Sequence, residues 1–302
     1  MLCLLSAFWV LCSVFIAVGY VLDCYPSLVP FWSSLFRWGK LRVGYVNPNR
    51  NFYEVPKSWF QHFYIVGVLV NGFVLGLVCR SVFLGQPLPS SFAGLLHWLQ
   101  FPVAHTGEDD AIPVLLVLVM EQLQVVRRCY ETFCINVFSP RATMTLLHYL
   151  LGVVFYSSIG LTTLTGTDYT KLHHTKPVSA EHAILYVVAV VVFVVASVVQ
   201  NQSFRILRDL RISNKKDNPQ YGGYVMPSGG LFDYVACPHF LAEIVIYVAI
   251  NIVYGFQHQV LLCLLLFVLT NQMVVAVVTY EWYCKNFKGY EKNHRAVIPY
   301  LF

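Results

Sequence analysis

Charge is what this chain has least of. Of its 302 residues only 12% are Asp, Glu, Lys or Arg, and 57% are hydrophobic, whereas a soluble domain carries about 25% charged residues. With a mean hydropathy of +0.61, a freely soluble globular protein is excluded and the membrane class remains. Motifs are missing as well. The nine cysteines contain no C-x-x-C pair, which argues against a zinc site or a disulfide framework. The G-x-G-x-x-G fingerprint is absent, so a Rossmann site is excluded and any dinucleotide must bind among helices. Neither G-x-S-x-G nor H-E-x-x-H occurs, and hydrolase readings lose their motif. No long linker, low-complexity tract or repeat divides the chain. It reads as one domain over 1–302, with neither a nucleic-acid nor a metal partner expected.

What is present is a series of apolar runs. A membrane span needs about 20 apolar residues. Candidates fall at 2–22, 60–79, 112–126, 145–165, 183–200, 240–256 and 260–280. The expected fold is therefore an all-α integral membrane protein of about seven spans. The first run has no basic n-region, and it is longer than the apolar core of a signal peptide, which favours a retained span. Basic residues cluster before the second run (Arg37, Lys40, Arg42, Arg50, Lys57) and at the end of the third (Arg127, Arg128). They cluster again after the fifth (Arg205, Arg208, Arg211, Lys215, Lys216) and the seventh (Lys285, Lys288, Lys292, Arg295). The positive-inside rule puts all four regions in the cytosol, as a cap built from loops. The N-terminus is then lumenal and the C-terminus cytosolic. The acidic segment 108–110 and the His-rich loop 171–176 fall on the far side. The one sequon, at Asn201, lies on the cytosolic side and is expected to be unused.

Polar residues inside apolar runs carry the functional signal. Glu243, Tyr247, Asn251 and Tyr254 follow one another at spacings of four, four and three, which places them on one helix face. A carboxylate in a span is costly and faces a cavity, a partner or a ligand. Glu121, Gln124 and Arg128 share a face at the end of the third run, where Arg127 and Arg128 also suit an interfacial helix end. His62 opens the second run and is able to donate to a substrate oxygen; an interfacial histidine fits the same position. Arg205, Arg208 and Arg211 recur every third residue in what reads as a basic loop. Their forks match phosphate oxygens, and anionic lipid headgroups fit equally.

Three segments resemble the steroid 5α-reductase family: Tyr224-Val-Met-Pro-Ser-Gly-Gly-Leu-Phe-Asp-Tyr-Val235, His239-Phe-Leu-Ala-Glu243, and the tail from Tyr290 to Phe302. This signature occupies about 200–302. Val55-Pro-Lys-Ser-Trp-Phe-Gln-His-Phe-Tyr64 and Arg127-Arg-Cys-Tyr-Glu131 look most like the family's polyprenol (polyprenal) reductase branch. The resemblance implies a seven-helix fold, residence in the endoplasmic reticulum and NADPH as hydride donor. It carries cofactor-binding roles to Asn136, Arg211, Tyr224, Glu243 and Tyr290. His239 stands where the family often has asparagine and Tyr247 where it has tryptophan; Arg127 or Arg128 would add phosphate contacts. The steroid enzymes hold their substrate carbonyl with a Gln-Glu pair where this chain has His62-Phe63. Their substrate-contacting tyrosine falls near Val125, and an arginine is replaced by Glu281. These departures point away from a steroid substrate rather than away from the fold.

The chemistry adds a constraint of its own. Hydride adds to a carbon–carbon double bond only when that bond is electron-poor. An isolated allylic alcohol is not; an α,β-unsaturated aldehyde is, because addition creates an enolate that a protein donor stabilises. The expected reaction is reduction of the α-isoprene unit of a long polyprenyl lipid at the aldehyde level, polyprenal to dolichal, feeding dolichol-linked N-glycosylation. His62 is the expected carbonyl donor and Glu121 the proton source or orienter. The competing readings are a Δ4-3-keto steroid reductase, a membrane methyltransferase, a transporter and a membrane-shaping protein. A transporter predicts inverted repeats and broken helices, and the sequence offers neither.

Overall fold

An apolar segment crosses a bilayer as a helix because each backbone N–H and C=O must be satisfied without water. The computed structural model of the protein follows that rule. It describes residues 2–25, 54–102, 111–138, 142–169, 172, 177–213 and 225–298. The segment 108–110, most of the loop 171–176, residues 39–53 and Tyr224 lie outside the described residues.

The helices are α1 (Leu4–Cys24), α2 (Phe60–Leu84), α3 (Ser90–Gln100), α4 (Ala111–Tyr130), α5 (Leu146–Thr165), α6 (Ala180–Ser213), α7 (Pro238–Val253), α8 (Gln259–Asn286) and the short α9 (Tyr290–Asn293). Each of the seven apolar runs has become a helix. Of these, α1, α2, α5, α6 and α8 are long and apolar enough to cross a membrane, so the fold is that of a mostly helical membrane protein. α4 has the length but carries Glu121, Arg127 and Arg128, and α7 has only 16 residues. The sequence does not announce α3, which has 11 residues.

The basic stretch after the fifth run is a correction to the sequence reading. It is not a loop, because α6 continues unbroken through Arg205, Arg208 and Arg211 to Ser213. Its 34 residues make about 51 Å of helix at about 1.5 Å per residue, against about 30 Å of hydrocarbon. The charged turns thus extend the helix beyond its apolar part.

Packing pairs α1 with α8, α2 with α4 and α5, and α7 with α6 and α8. Trp9 of α1 is buried against Phe155 of α5 and Phe267 of α8, with ring centroids at 5.9 and 5.2 Å. Its indole N–H donates to Thr162 Oγ1 at 3.2 Å, which supplies the partner that a buried indole needs. Small residues bring α2 and α5 together. A Cβ at Gly152 would lie 2.6 Å from the Phe63 ring, and one at Gly160 would lie 2.4 Å from Asn71 Oδ1. Close approach through glycine is the usual device where lipid offers no hydrophobic drive to association.

The starts of α2 and α5 are tied by a short antiparallel pair, β1 (Glu54–Pro56) with β2 (Thr143–Thr145), in the register Val55↔Met144. The C-terminal tail returns in the same way. Val235 and Arg295 form a parallel bridge, with Ala236 N–H on Arg295 O at 2.8 Å and Arg295 N–H on Tyr234 O at 3.0 Å. That bridge docks the tail on the segment leading into α7.

Candidate active site

At the end of α4 the backbone widens into a π turn over Glu131–Ile135, a local irregularity often found at functional sites. Glu131 is fully buried there. Its Oε1 accepts from Arg127 Nη1 at 2.5 Å and from Asn201 Nδ2 at 2.8 Å; its Oε2 accepts from Arg128 Nη1 at 2.5 Å. Arg128 also donates to the Tyr64 hydroxyl at 3.0 Å and lies 4.0 Å over the Phe204 ring. The guanidinium therefore has both a carboxylate and an aromatic face.

Arg127 carries the network onward. Its Nη2 donates to the side-chain oxygens of Gln124 and Gln200, each at 2.5 Å. Both amides then turn their N–H groups on Glu243 Oε2, Gln200 at 2.5 Å and Gln124 at 3.1 Å. Five elements are joined in this way: α2 through Tyr64, α4 through three side chains, the π turn, α6 through Gln200 and Asn201, and α7 through Glu243. All the contributing turns lie at one end of the bundle. The charges of Arg127, Arg128, Glu131 and Glu243 cancel, and buried charge is retained only when paired in this fashion.

The stripe on α7 is real. Glu243, Tyr247 and Asn251 are all buried, with Tyr254 half-buried at the helix end. Asn251 turns its amide N–H back on Tyr247 O at 2.9 Å. Its Oδ1 is buried without a partner among the described residues, as is Oε2 of Glu121. Glu121 is 1% exposed and accepts from Thr163 Oγ1 of α5 at 3.0 Å through its other oxygen.

The remaining predicted positions are distributed around this network. Arg211 reaches the carbonyl of Val137, which brings the end of α6 beside Asn136, and the N–H of Asn136 closes the π turn on Glu131 O at 2.8 Å. The His239 ring lies 5.4 Å from Phe204 and 4.2 Å from Phe240. Tyr290 is buried in the C-terminal cluster with Cys237 and Tyr283 and stacks on His294 at 4.1 Å. His62 stands apart, exposed at the start of α2, with Nδ1 3.2 Å from the Tyr149 hydroxyl and its ring beside Trp59. Among the described residues no hydrogen bond joins it to Glu121.

Sequence reasoning missed Glu131, Gln200, Asn201 and Tyr64 as members of the site. The available signal was spacing: Glu131 follows Arg127 by four and Arg128 by three, the helical pairing distances. Among the described residues no three His, Cys, Asp or Glu side chains are grouped to hold a metal ion.

Comparison with known proteins adds to this geometry. Residues 142–302 match the family described as 3-oxo-5-alpha-steroid 4-dehydrogenase. The polyprenal reductase of Homo sapiens is 33% identical over 287 residues, covering 92% of this chain and 89% of that protein. The polyprenal reductase of Ailuropoda melanoleuca is 32% identical over 285 residues, with the same shares. That of Xenopus tropicalis is 30% identical over 281 residues, covering 91% and 89%.

Proposed function

The chain belongs to the 3-oxo-5-alpha-steroid 4-dehydrogenase family, and on that premise we propose that this oxidoreductase reduces the α-isoprene double bond of a polyprenal. The product is dolichal, the precursor of dolichol for dolichol-linked protein N-glycosylation. The observation that carries the reading is the buried network from Tyr64 to Glu243, in a chain similar over nine-tenths of its length to polyprenal reductases. A transporter or a membrane-shaping protein has no need for it.

NADPH, when bound, supplies the hydride. The residues present suit it. A nicotinamide carboxamide offers two N–H donors, and buried acceptors without partners stand at Glu121 Oε2 and Asn251 Oδ1. Glu243 and Tyr247, on the α7 stripe with Asn251, would hold the ring. Arg211, with Arg128 and Asn136, would meet the phosphates, since the terminal nitrogens of Arg127 are already shared among Glu131, Gln124 and Gln200. His239, in the first turn of α7, and Tyr290, in the tail, would close the site, with Tyr224 in the cofactor-binding role that the family resemblance carries to it.

The substrate is reduced at the aldehyde level because the conjugated carbonyl makes its β carbon electron-poor. His62 donates a hydrogen bond to that carbonyl oxygen and stabilises the enolate. Glu121 does not reach that same enal, because its α5 partner Thr163 lies 14 residues, about 21 Å of helix, from Tyr149, the partner of His62. The proton taken by the α carbon comes from water at the exposed start of α2. Trp59, exposed, and Tyr149, half-buried, stand beside His62 and give the prenyl tail an aromatic entry from the bilayer.

Seven crossings in the endoplasmic-reticulum membrane, with the N-terminus lumenal and the C-terminus cytosolic, fit this site. The basic ends of α4, α6 and α8 then share the cytosolic side with the network, where the soluble cofactor enters.

A second reading, a Δ4-3-keto steroid as the conjugated carbonyl, is favoured by the family's own description. One assay separates the two. Purified protein in lipid, given NADPH, is offered polyprenal, polyprenol and a Δ4-3-keto steroid side by side. Saturation of the aldehyde is the expected result. Equal turnover of the free alcohol overturns the electrophile argument, and preference for the steroid selects the second reading.

A further inference from the structure

Between α4 and α6 a groove of about 600 Å³ opens sideways from the bundle. Its walls are Leu123, Phe193, Val194 and Val198, and three of these (Leu123, Val194, Val198) are more than half exposed. This surface is made for hydrocarbon rather than water. Its rim is different. Arg127, Asn201 and Arg205 line one end. Arg205 engages Asn201 through Nε at 2.8 Å and has no carboxylate partner among the described residues. The four charges of the active-site network balance one another, so Arg205 is the surplus cation of this rim.

Two further donors point to a ligand. Nε of Arg127 and Oγ of Ser197 are buried in or beside the groove without hydrogen-bond partners among the described residues. Leaving such groups unsatisfied is costly. Apolar walls ending in a guanidinium, a second guanidinium N–H and a hydroxyl describe an amphiphile with an acyl chain and a phosphate head.

We propose that this groove binds an anionic glycerophospholipid of the cytosol-facing leaflet, its acyl chain against Phe193 and Val198 and its phosphate on Arg205, Ser197 and Arg127. The lipid is distinct from the substrate. A free phosphate or a nucleotide would leave the apolar walls bare, and a zwitterionic lipid would bring a second cation to the rim. Arg127 also grips Glu131, Gln124 and Gln200, so the head sits on a residue that holds the active-site network together. Occupancy is thereby linked to the order of that network.

The test uses the full chain in nanodiscs of phosphatidylcholine containing a minor fraction of phosphatidic acid. Bound lipid is identified by native mass spectrometry after stripping the bulk bilayer. Enrichment of phosphatidic acid by about fivefold is expected, the equivalent of roughly 1 kcal/mol for one basic side chain at a membrane surface. Arg205→Gln, and separately Val198→Trp to fill the groove, should return the bound lipid to the bulk ratio. Arg208→Gln, which removes a charge paired with Asp209 on the same helix, should leave the enrichment intact. Equal enrichment in wild type and Val198→Trp, or equal loss with Arg208→Gln, would reduce the effect to general surface attraction and overturn the proposal. Displacement by excess inorganic phosphate would show that the site takes a phosphate alone, and would overturn the lipid assignment.

Discussion

Gln200 and Glu243 meet across α6 and α7, amide nitrogen to carboxylate oxygen, at 2.5 Å. The same nitrogen reaches His239 O at 3.2 Å, and Gln124 approaches the same carboxylate oxygen from α4 at 3.1 Å. Glu243 is thus fixed by two amides whose own oxygens are held by Arg127. A carboxylate placed this firmly inside an apolar bundle is preorganised to receive a ligand rather than free to turn away.

Glu243→Ala removes the acceptor and leaves two buried amides facing each other. A hydrogen bond to a charged group is worth about 1.5–3 kcal/mol, so kcat/KM for NADPH should fall by about 10- to 100-fold. Gln200→Leu should show part of that loss, since Gln124 still reaches the carboxylate. Steady-state kinetics against NADPH in reconstituted protein decide the matter, and an unchanged KM and kcat in Glu243→Ala would remove this residue from the cofactor site.

Glu131 is the opposite case, a residue whose value lies in charge balance. It is 0% exposed and sits between two guanidiniums. Glu131→Ala leaves the buried Arg128 and the half-buried Arg127 with one counter-charge fewer, a change of the kind that costs about 3–5 kcal/mol when the charges are fully buried. A large drop in melting temperature in detergent or nanodiscs is expected, with Glu131→Gln intermediate because it keeps the shape and one acceptor. An unchanged melting temperature in the alanine variant would mean that water replaces the carboxylate there.

Much of this architecture is legible in the sequence, for a physical reason. Seven apolar runs must become helices in lipid, and the spacing of Glu243, Tyr247 and Asn251 puts them on one buried face whatever the neighbours are. What spacing does not carry is the partner across the bundle. Gln200 and Asn201 end an apolar run and look like an interfacial boundary, yet in the fold they complete the coordination of Glu243 and Glu131. The basic stretch to Ser213 reads as a loop because the continuous apolar run stops at Gln200. Arg and Leu, which recur through it, are good helix formers, and the helix simply continues. α3 has 11 residues, too few to register in a search for apolar runs of about 20. His62 shows the converse: a motif position conspicuous in sequence lies outside the buried network, at the exposed start of α2 beside Tyr149.

Tyr290 links the tail to an alkaline limit on stability. Burial, with Cys237, Cys284 and Tyr280 adding to it, pushes its hydroxyl well above the usual tyrosine value, so the fold favours the neutral phenol. Above about pH 10 the unfolded chain ionises this tyrosine before the folded chain does. The unfolded state then binds fewer protons, and stability falls as pH rises. Below pH 10 the contribution is fully present. Tyr290→Phe should flatten the decline in melting temperature on the alkaline side and leave the neutral region nearly unchanged, since the ring still stacks on His294. A decline of the same steepness in the variant would assign the alkaline limit to other groups.

The sharpest test of mechanism concerns His62. Its Nδ1 faces the Tyr149 hydroxyl at 3.2 Å, which orients the ring and leaves Nε2 for a substrate oxygen. General acid or base assistance contributes about 10²–10⁴-fold. His62→Ala should therefore lower kcat on polyprenal by at least about 100-fold while leaving NADPH binding intact, because the proposed cofactor contacts are on α4, α6 and α7. Tyr149→Phe keeps the ring packing and loses only the orienting hydroxyl, so its loss should be several-fold smaller. Wild-type turnover in His62→Ala would take this side chain out of the chemistry. The carbonyl donor would then have to come from the buried hydroxyls nearest the network, Tyr64 or Tyr247, and the phenylalanine variant of each would be the next measurement.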